Sequence, residues 1–172
     1  MIEVLISISL IVVGVAALSG SIVSGSKLST TRKESGIAHE AIRQALEQIQ
    51  GEAFSDVFVR YNTDAGDDPG GAGSAPGPNF AVRGLNPQPG DADGFVGRIT
   101  FPEITQGGVS MLREDVVDAN WGMPRDLNAD GAAPDASDHS GDYVLLPIRI
   151  TLDWRGSAGD RTVVFETLMT PR

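Results

Sequence analysis

Cysteine is absent from all 172 residues, which excludes a disulfide framework, thiolate metal sites, iron–sulfur clusters and a thiol nucleophile. Without cysteine, the compartment cannot be read from redox chemistry. Positive charge is scarce as well: 13 Lys and Arg stand against 23 Asp and Glu, a formal charge of −10. A nucleic-acid binder needs clustered cations to neutralise phosphates, so no direct nucleic-acid binding is expected. The chain has no G-x-S-x-G, no H-E-x-x-H and no G-x-x-x-x-G-K-[ST], and its two isolated His give no Ser–His or Cys–His pairing at a recognised spacing. Acidic pairs such as Asp67/Asp68 and Asp91/Asp93 lie among glycines, where a carboxylate stays solvated and is not tuned into an acid or base. A structural or binding role is expected, not catalysis.

What is present is unevenly distributed. Residues 1–51 hold four basic and four acidic residues, whereas residues 52–172 hold nine basic and nineteen acidic ones. All of the net charge therefore belongs to the second part. Between Glu3 and Lys27 run 23 uncharged residues, VLISISLIVVGVAALSGSIVSGS, enough as a helix to cross a hydrocarbon core of about 30 Å. A cleaved secretory signal would begin with a basic n-region, yet this one begins Met-Ile-Glu. A core helix this long and apolar all round would need a larger domain to enclose it than the remaining residues offer. The expectation is a membrane segment.

Helical periodicity continues beyond that run. Ile37, Ala41, Ala45 and Ile49 recur every four residues with Ala38, Ile42 and Leu46 beside them, while Glu40, Arg43, Glu47 and Gln48 fall elsewhere. No Pro or Gly pair interrupts residues 2–50, so the pattern predicts one rod of roughly 75 Å, with Gly14, Gly20, Gly25 and Gly36 as its bending points. The predicted organisation is a membrane-embedded half over residues 1–26, an amphipathic half over 27–51 and an acidic globular head over 52–172. Glu3 is the one charge inside the apolar end, and a carboxylate within a spanning helix costs about 2.5–3.5 kcal/mol at the bilayer centre and usually marks a partner. It reads either as a flanking charge at headgroup level or as one half of an assembly ion pair with a neighbour's N-terminal amine.

The string Ile2-Glu3-Val4-Leu5-Ile6, opening a long apolar helix that turns amphipathic, resembles the N-terminus of type IV pilins and type II secretion pseudopilins. In that family a prepilin peptidase removes a short basic leader ending in Gly, and the new N-terminal amine is methylated. The mature chain then carries a Glu at its fifth position, which pairs with a neighbouring subunit's amine, and that Glu falls on Glu3 here. Met1 stands where the family has its third residue, usually Leu, so the resemblance implies a leader and two further residues upstream. The stretch AIRQALEQIQGEAFSDVFVRYN is similar to the minor pilin and minor pseudopilin branch, in which the helix ends at a small apolar turn before a compact sheet. The implied partners are other pilin or pseudopilin subunits, the prepilin peptidase, the inner-membrane assembly machinery and, before assembly, the membrane. The implied location is the bacterial inner membrane with the head in the periplasm, then a periplasmic or surface filament.

Residues 62–98 carry nine of the 21 glycines and five of the ten prolines, including Asp67-Asp68-Pro69-Gly70-Gly71, which predicts a loop over 62–94. Strand signals follow. Phe95, Gly97, Ile99 and Phe101 alternate with Val96, Arg98 and Thr100, and residues 109–112 form a second short candidate. Residues 143–154 and 161–170 predict a C-terminal hairpin over 143–170, joined by residues 155–160, with Ile148, Ile150, Leu152 and Trp154 on its buried face. Pro147 cannot donate a ladder hydrogen bond and so predicts an edge or a bulge. The expected fold is α+β: a long N-terminal helix packed on a small antiparallel sheet, as the resemblance also implies.

One loop carries possible chemistry. Asp126, Asn128, Asp130 and Gly131 match the D-x-N-x-D-G half of a calcium loop, whose alternating side-chain oxygens face a hard cation. The twelfth position is Ser137 instead of the bidentate Glu, so coordination would have to be completed by Asp135, Asp138 or Asp142. Against calcium stands an ordinary Asn/Asp/Gly turn bonded to its own backbone. His139 reads as a solvated polar residue and His39 as a polar helix position. Two functions compete: a filament subunit, and a single-pass membrane-anchored, calcium-dependent binding module that forms no filament. A membrane-tethered hydrolase stands behind both for want of any catalytic motif.

Overall fold

A computed structural model describes residues 2–132 and 134–171. The predicted rod is a single helix, α1 (Ile2–Gly51), which runs unbroken through all four glycines. Among the described residues nothing covers its first half: no part of its most apolar window is buried, and the helix is long and apolar enough to cross a membrane. Its second half carries the predicted stripe, with Ala38, Ile42, Ala45 and Ile49 buried and Ile37, Ala41 and Leu46 packed beside them.

After α1 the chain tightens through a 3₁₀ turn (Phe54–Asp56) into α2 (Val57–Tyr61), whose Val57, Phe58 and Tyr61 are all buried. The strands are β1 (Asn79–Phe80), β2 (Gly97–Thr100), β3 (Glu103–Gln106), β4 (Val109–Leu112), β5 (Leu146–Gly156) and β6 (Gly159–Met169). Antiparallel pairing gives one four-stranded sheet in the order β1-β2-β5-β6 and a separate β3-β4 hairpin. The fold is thus α+β, with α1 packed on a small antiparallel sheet through β5. Ile148, Ile150, Leu152 and Trp154 are buried on one face of β5 as their alternation requires, while Arg149, Thr151 and Asp153 stay half-buried on the other.

Local details depart from the sequence pattern for identifiable reasons. Alternation in β2 begins only at Gly97, because Asp93 Oδ1 accepts the Phe95 N–H at 2.9 Å and leaves Phe95 on an exposed turn. The C-terminal hairpin closes more tightly than residues 155–160 suggest. Gly156 pairs with Gly159, so only Ser157 and Ala158 form the turn, and the φ of +115° at Gly159 is available because it has no Cβ. Strand β5 starts at Leu146 and not at Tyr143, because the N–H groups of Val144 and Leu145 both donate to Leu127 O. The Tyr143 hydroxyl instead donates to Phe54 O at 2.6 Å, and burial pushes its pKa up to about 12.

Pro147 sits in an interior strand, which corrects the simple edge assignment. Strand β2 has already ended with Thr100 opposite Arg149, so Pro147 pairs with Leu168 of β6 alone. Within the stretch read as loop, Phe80 of β1 lies over Gly97, where a Cβ would come within 2.3 Å of its ring. Glycine at that position is what lets the aromatic ring cover the end of the sheet. The buried core runs from Ala38 through Trp154 and includes residues on both sides of position 51.

Candidate functional site

Strand β4 leads into a long connection over residues 113–145, and backbone hydrogen bonds fold that connection on itself. Arg125 N donates to Glu114 O at 3.2 Å, Asp115 N to Asp135 O at 3.1 Å and His139 N to Leu112 O at 2.9 Å. Two segments distant in sequence therefore meet, Glu114 from one and Asp135 with His139 from the other, and their ligand atoms all lie within 4.8 Å of one another. Glu114 is 2% exposed and His139 is 6% exposed. That burial corrects the expectation of a solvated His139.

The three carboxylates around the imidazole form a directional arrangement. His139 Nε2 lies 3.2 Å from Asp135 Oδ1 and 3.9 Å from Glu114 Oε1, while Nδ1 lies 3.1 Å from Asp142 Oδ1. A neutral imidazole offers one N–H and one lone pair, yet here both nitrogens face carboxylate oxygens. A second cation at Nε2, either a proton or a metal ion, satisfies that geometry. Burial alone would lower the His139 pKa, but hydrogen bonds to Asp135 and Asp142, backed by the Glu114 charge, outweigh it and hold it above the ordinary histidine value. The Ser137 N–H and then His139 hold the Asp135 carboxyl below its ordinary range. Protonated His139 stabilises the fold fully below histidine's ordinary pKa, and that contribution is lost as pH rises through the raised one. A metal ion at Nε2 reverses the trend by displacing the proton.

Glu114, Asp135 and His139 could hold a metal ion, with Asp142 on Nδ1 as the outer carboxylate that fixes the ring's tautomer and orientation. The donor set is one nitrogen and two carboxylates. That mixture suits zinc and other divalent transition ions, whereas calcium takes oxygen ligands only.

The residues expected to form the calcium loop are spoken for in another way. Asp126 Oδ2 accepts the Gly131 N–H at 2.9 Å, Asn128 Oδ1 accepts the Asp130 N–H at 3.1 Å and Asp130 Oδ1 accepts the Ala132 N–H at 2.7 Å. These are side chains bonded to their own backbone, as the competing turn reading requires. Asn128 Nδ2 then donates to Asp130 and to Asp142, both at 3.2 Å, which links this turn to His139 through Asp142. Asp138 turns away: Oδ1 accepts the N–H groups of Leu112 and Ser140. Of the five expected ligands, only Asp135 lies in the His139 cluster. Glu114 was not visible as a site residue from sequence, since nothing in its local pattern marks a partner 25 residues away.

Glu114 also has a structural duty, accepting the Leu127 N–H at 2.6 Å and the Asn128 N–H at 3.4 Å. Glu114→Ala orphans these donors and is expected to cost about 1–3 kcal/mol, a fall of several degrees in Tm. Glu114→Gln keeps an acceptor and should cost less, yet it should abolish any rise in Tm on adding zinc. Calorimetry of the full chain in detergent, with metal and with chelator, measures both.

At the other end of the molecule, Glu3 lies in the first turn of α1, exposed among exposed apolar residues. Between the second half of α1 and residues 76–83 lies a groove of about 820 Å³, lined by Ile37, Ala41, Tyr61, Phe80, Val82 and Ile99. Comparison with protein-family models, with curated proteins and with solved structures finds no match.

Proposed function

We propose that this chain is a structural subunit that assembles through α1 into a filament of the type IV pilus or type II secretion pseudopilus kind, and that it performs no catalysis. One observation carries the reading: a single uninterrupted helix is bare and apolar over its first half and supplies core residues to the head over its second. A helix so divided needs lipid before assembly and other helices afterwards. Gly14, Gly20 and Gly25 have open space around them, which leaves room for close approach of neighbouring rods. The partners are other copies or related subunits, a prepilin peptidase and inner-membrane assembly machinery, with the head in the periplasm before assembly. Within the head, the 114–142 cluster serves as a metal tie. Calcium, suggested by the D-x-N-x-D-G spacing, would draw on the Glu114 and Asp135 oxygens, while the His139 nitrogen favours zinc.

Charge around the span sharpens the test. Lys27, Arg32 and Lys33 follow the apolar run, and cations there favour keeping that side in the cytoplasm. Export of the head therefore requires a stronger basic leader on the other side. The coding sequence upstream should extend in frame to a basic leader ending in Gly, and co-expression with a prepilin peptidase should shorten the precursor just after that Gly. An in-frame stop immediately before Met1 would overturn the reading.

A further inference from the structure

We propose that the tip of the β5-β6 hairpin and residues 27–33 of α1 form a cationic foot that rests on the anionic phospholipid headgroups of the membrane α1 spans. The proposal rests on the membrane part of the reading above and does not need the filament. The hairpin tip is tied to the rod at a fixed height: Ser157 N donates to Glu34 Oε1 at 3.0 Å, and the Thr31 and Ser157 hydroxyls lie 3.4 Å apart. Residues 27, 31 and 34 share one helix face, so Lys27 projects on the hairpin's side about one turn below the tip.

Height along the rod places the tip against lipid. The uncharged run ends at Ser26, and Thr31 and Glu34 lie about 7–12 Å further along at 1.5 Å per residue. The headgroup layer beyond the hydrocarbon is about 5–8 Å thick on each side. With residues 4–26 across the core, Lys27, Arg32 and Lys33 fall in or just above that layer and the Ser157–Ala158 turn at its outer surface. The turn is exposed and carries no large apolar side chain, so its contact is electrostatic and not an insertion.

The charges match that position. Arg155 and Arg161 flank the turn; Arg155 is neutralised by Asp160 at 2.8 Å, while Glu34 accepts the Ser157 N–H and keeps its negative charge. Lys27, Arg32, Lys33 and Arg161 have no ion pair among the described residues. The loop beside the hairpin, held by Arg155 N to Asn86 O at 2.8 Å, brings Asp93, which is paired with Arg98, and Asp91. Four unpaired cations thus face two unpaired carboxylates, Glu34 and Asp91, and the patch stays net positive. In contrast, residues 102–142 hold nine acidic residues and two basic ones. An anionic surface attracts the first end of this molecule and repels the second.

Because the chain has no cysteine, a single introduced one takes a nitroxide label without competition. The full chain would be labelled at Ala158→Cys, at Gln106→Cys in the β3-β4 hairpin and at Val15→Cys in the apolar run, in vesicles of phosphatidylcholine alone or mixed equally with phosphatidylglycerol. In the mixed vesicles, the 158 label should collide with a nickel chelate carried on lipid headgroups several times more often than the 106 label does. The excess should shrink in phosphatidylcholine alone and at high salt, and by about fivefold for each of Lys33→Gln and Arg161→Gln. A 158 label no closer to the headgroups than the 106 label, with the 15 label buried in oxygen-accessible lipid, overturns the foot alone. A 15 label outside lipid overturns the membrane reading and the foot together.

Discussion

Residues 52–172 expressed without the helix should fail to fold, while residues 28–172 should give a soluble, cooperatively melting head. The head's sheet has one face made of Ile148, Ile150, Leu152 and Trp154, and α1 packs on that strand with Ala38, Ile42, Ala45 and Ile49 buried. Burying one large aliphatic side chain is worth about 1.5–3 kcal/mol. Losing Ile42 and Ile49 and uncovering two or three of their partners removes about 10 kcal/mol, as much as a typical domain's whole stability. The hairpin would also lose Glu34 and Thr31, which hold its turn. Circular dichroism and a thermal melt of the two fragments decide it. A cooperative transition in residues 52–172 would show that the helix is an attachment and not part of the core. Removing residues 1–27 should cost the head little, since the apolar half touches none of it.

The elements with a strong period were legible in the sequence, and those fixed by long-range backbone contacts were not. The stripe of α1 repeats over four turns and the apolar face of β5 over four residues, so each signal is reinforced within its own segment. Strand β3, with Glu103, Thr105 and Gln106, has no apolar alternation to read; it exists because β4 pairs with it through all four of its residues. Strand β1 is two residues inside a glycine- and proline-rich stretch, held by the fit of Phe80 over Gly97. The candidate site follows the same rule. Asp126, Asn128 and Asp130 announce a local turn, and they form one with their own backbone. The Glu114–Asp135–His139 cluster depends on segments meeting across the fold, which no spacing encodes. The signal that was available is the isolated His139 among Asp135, Asp138 and Asp142, because a histidine so flanked has carboxylates within a turn's reach on either side.

On the proposed filament reading, Glu3→Gln should leave the chain in the membrane and reduce its incorporation into filaments a hundredfold or more. The substitution keeps the size and polarity of the side chain and removes only its charge. Insertion should hold or improve, since a carboxylate in a spanning helix opposes insertion and an amide opposes it less. Assembly differs because the environment of residue 3 changes. In lipid, Glu3 lies within a turn of the helix start and can reach the headgroup layer; among packed apolar rods it has no water. A charge in that setting needs a partner, and removing one member of a buried pair costs about 3–5 kcal/mol, or roughly two to three and a half orders of magnitude in an equilibrium. In the proposed filament the partner with the required sign and height would be the N-terminal amine of an adjacent subunit, because the next cation on the rod, Lys27, lies about 36 Å away along the axis. Fractionation of membranes and sheared filaments from cells expressing the wild-type precursor, Glu3→Gln and Glu3→Asp would read both steps. Asp keeps the charge on a shorter arm and should assemble better than Gln if the charge is what matters. Equal incorporation of all three would make Glu3 a headgroup-level flank, and the proposed filament would then have to be held by packing of the rods alone.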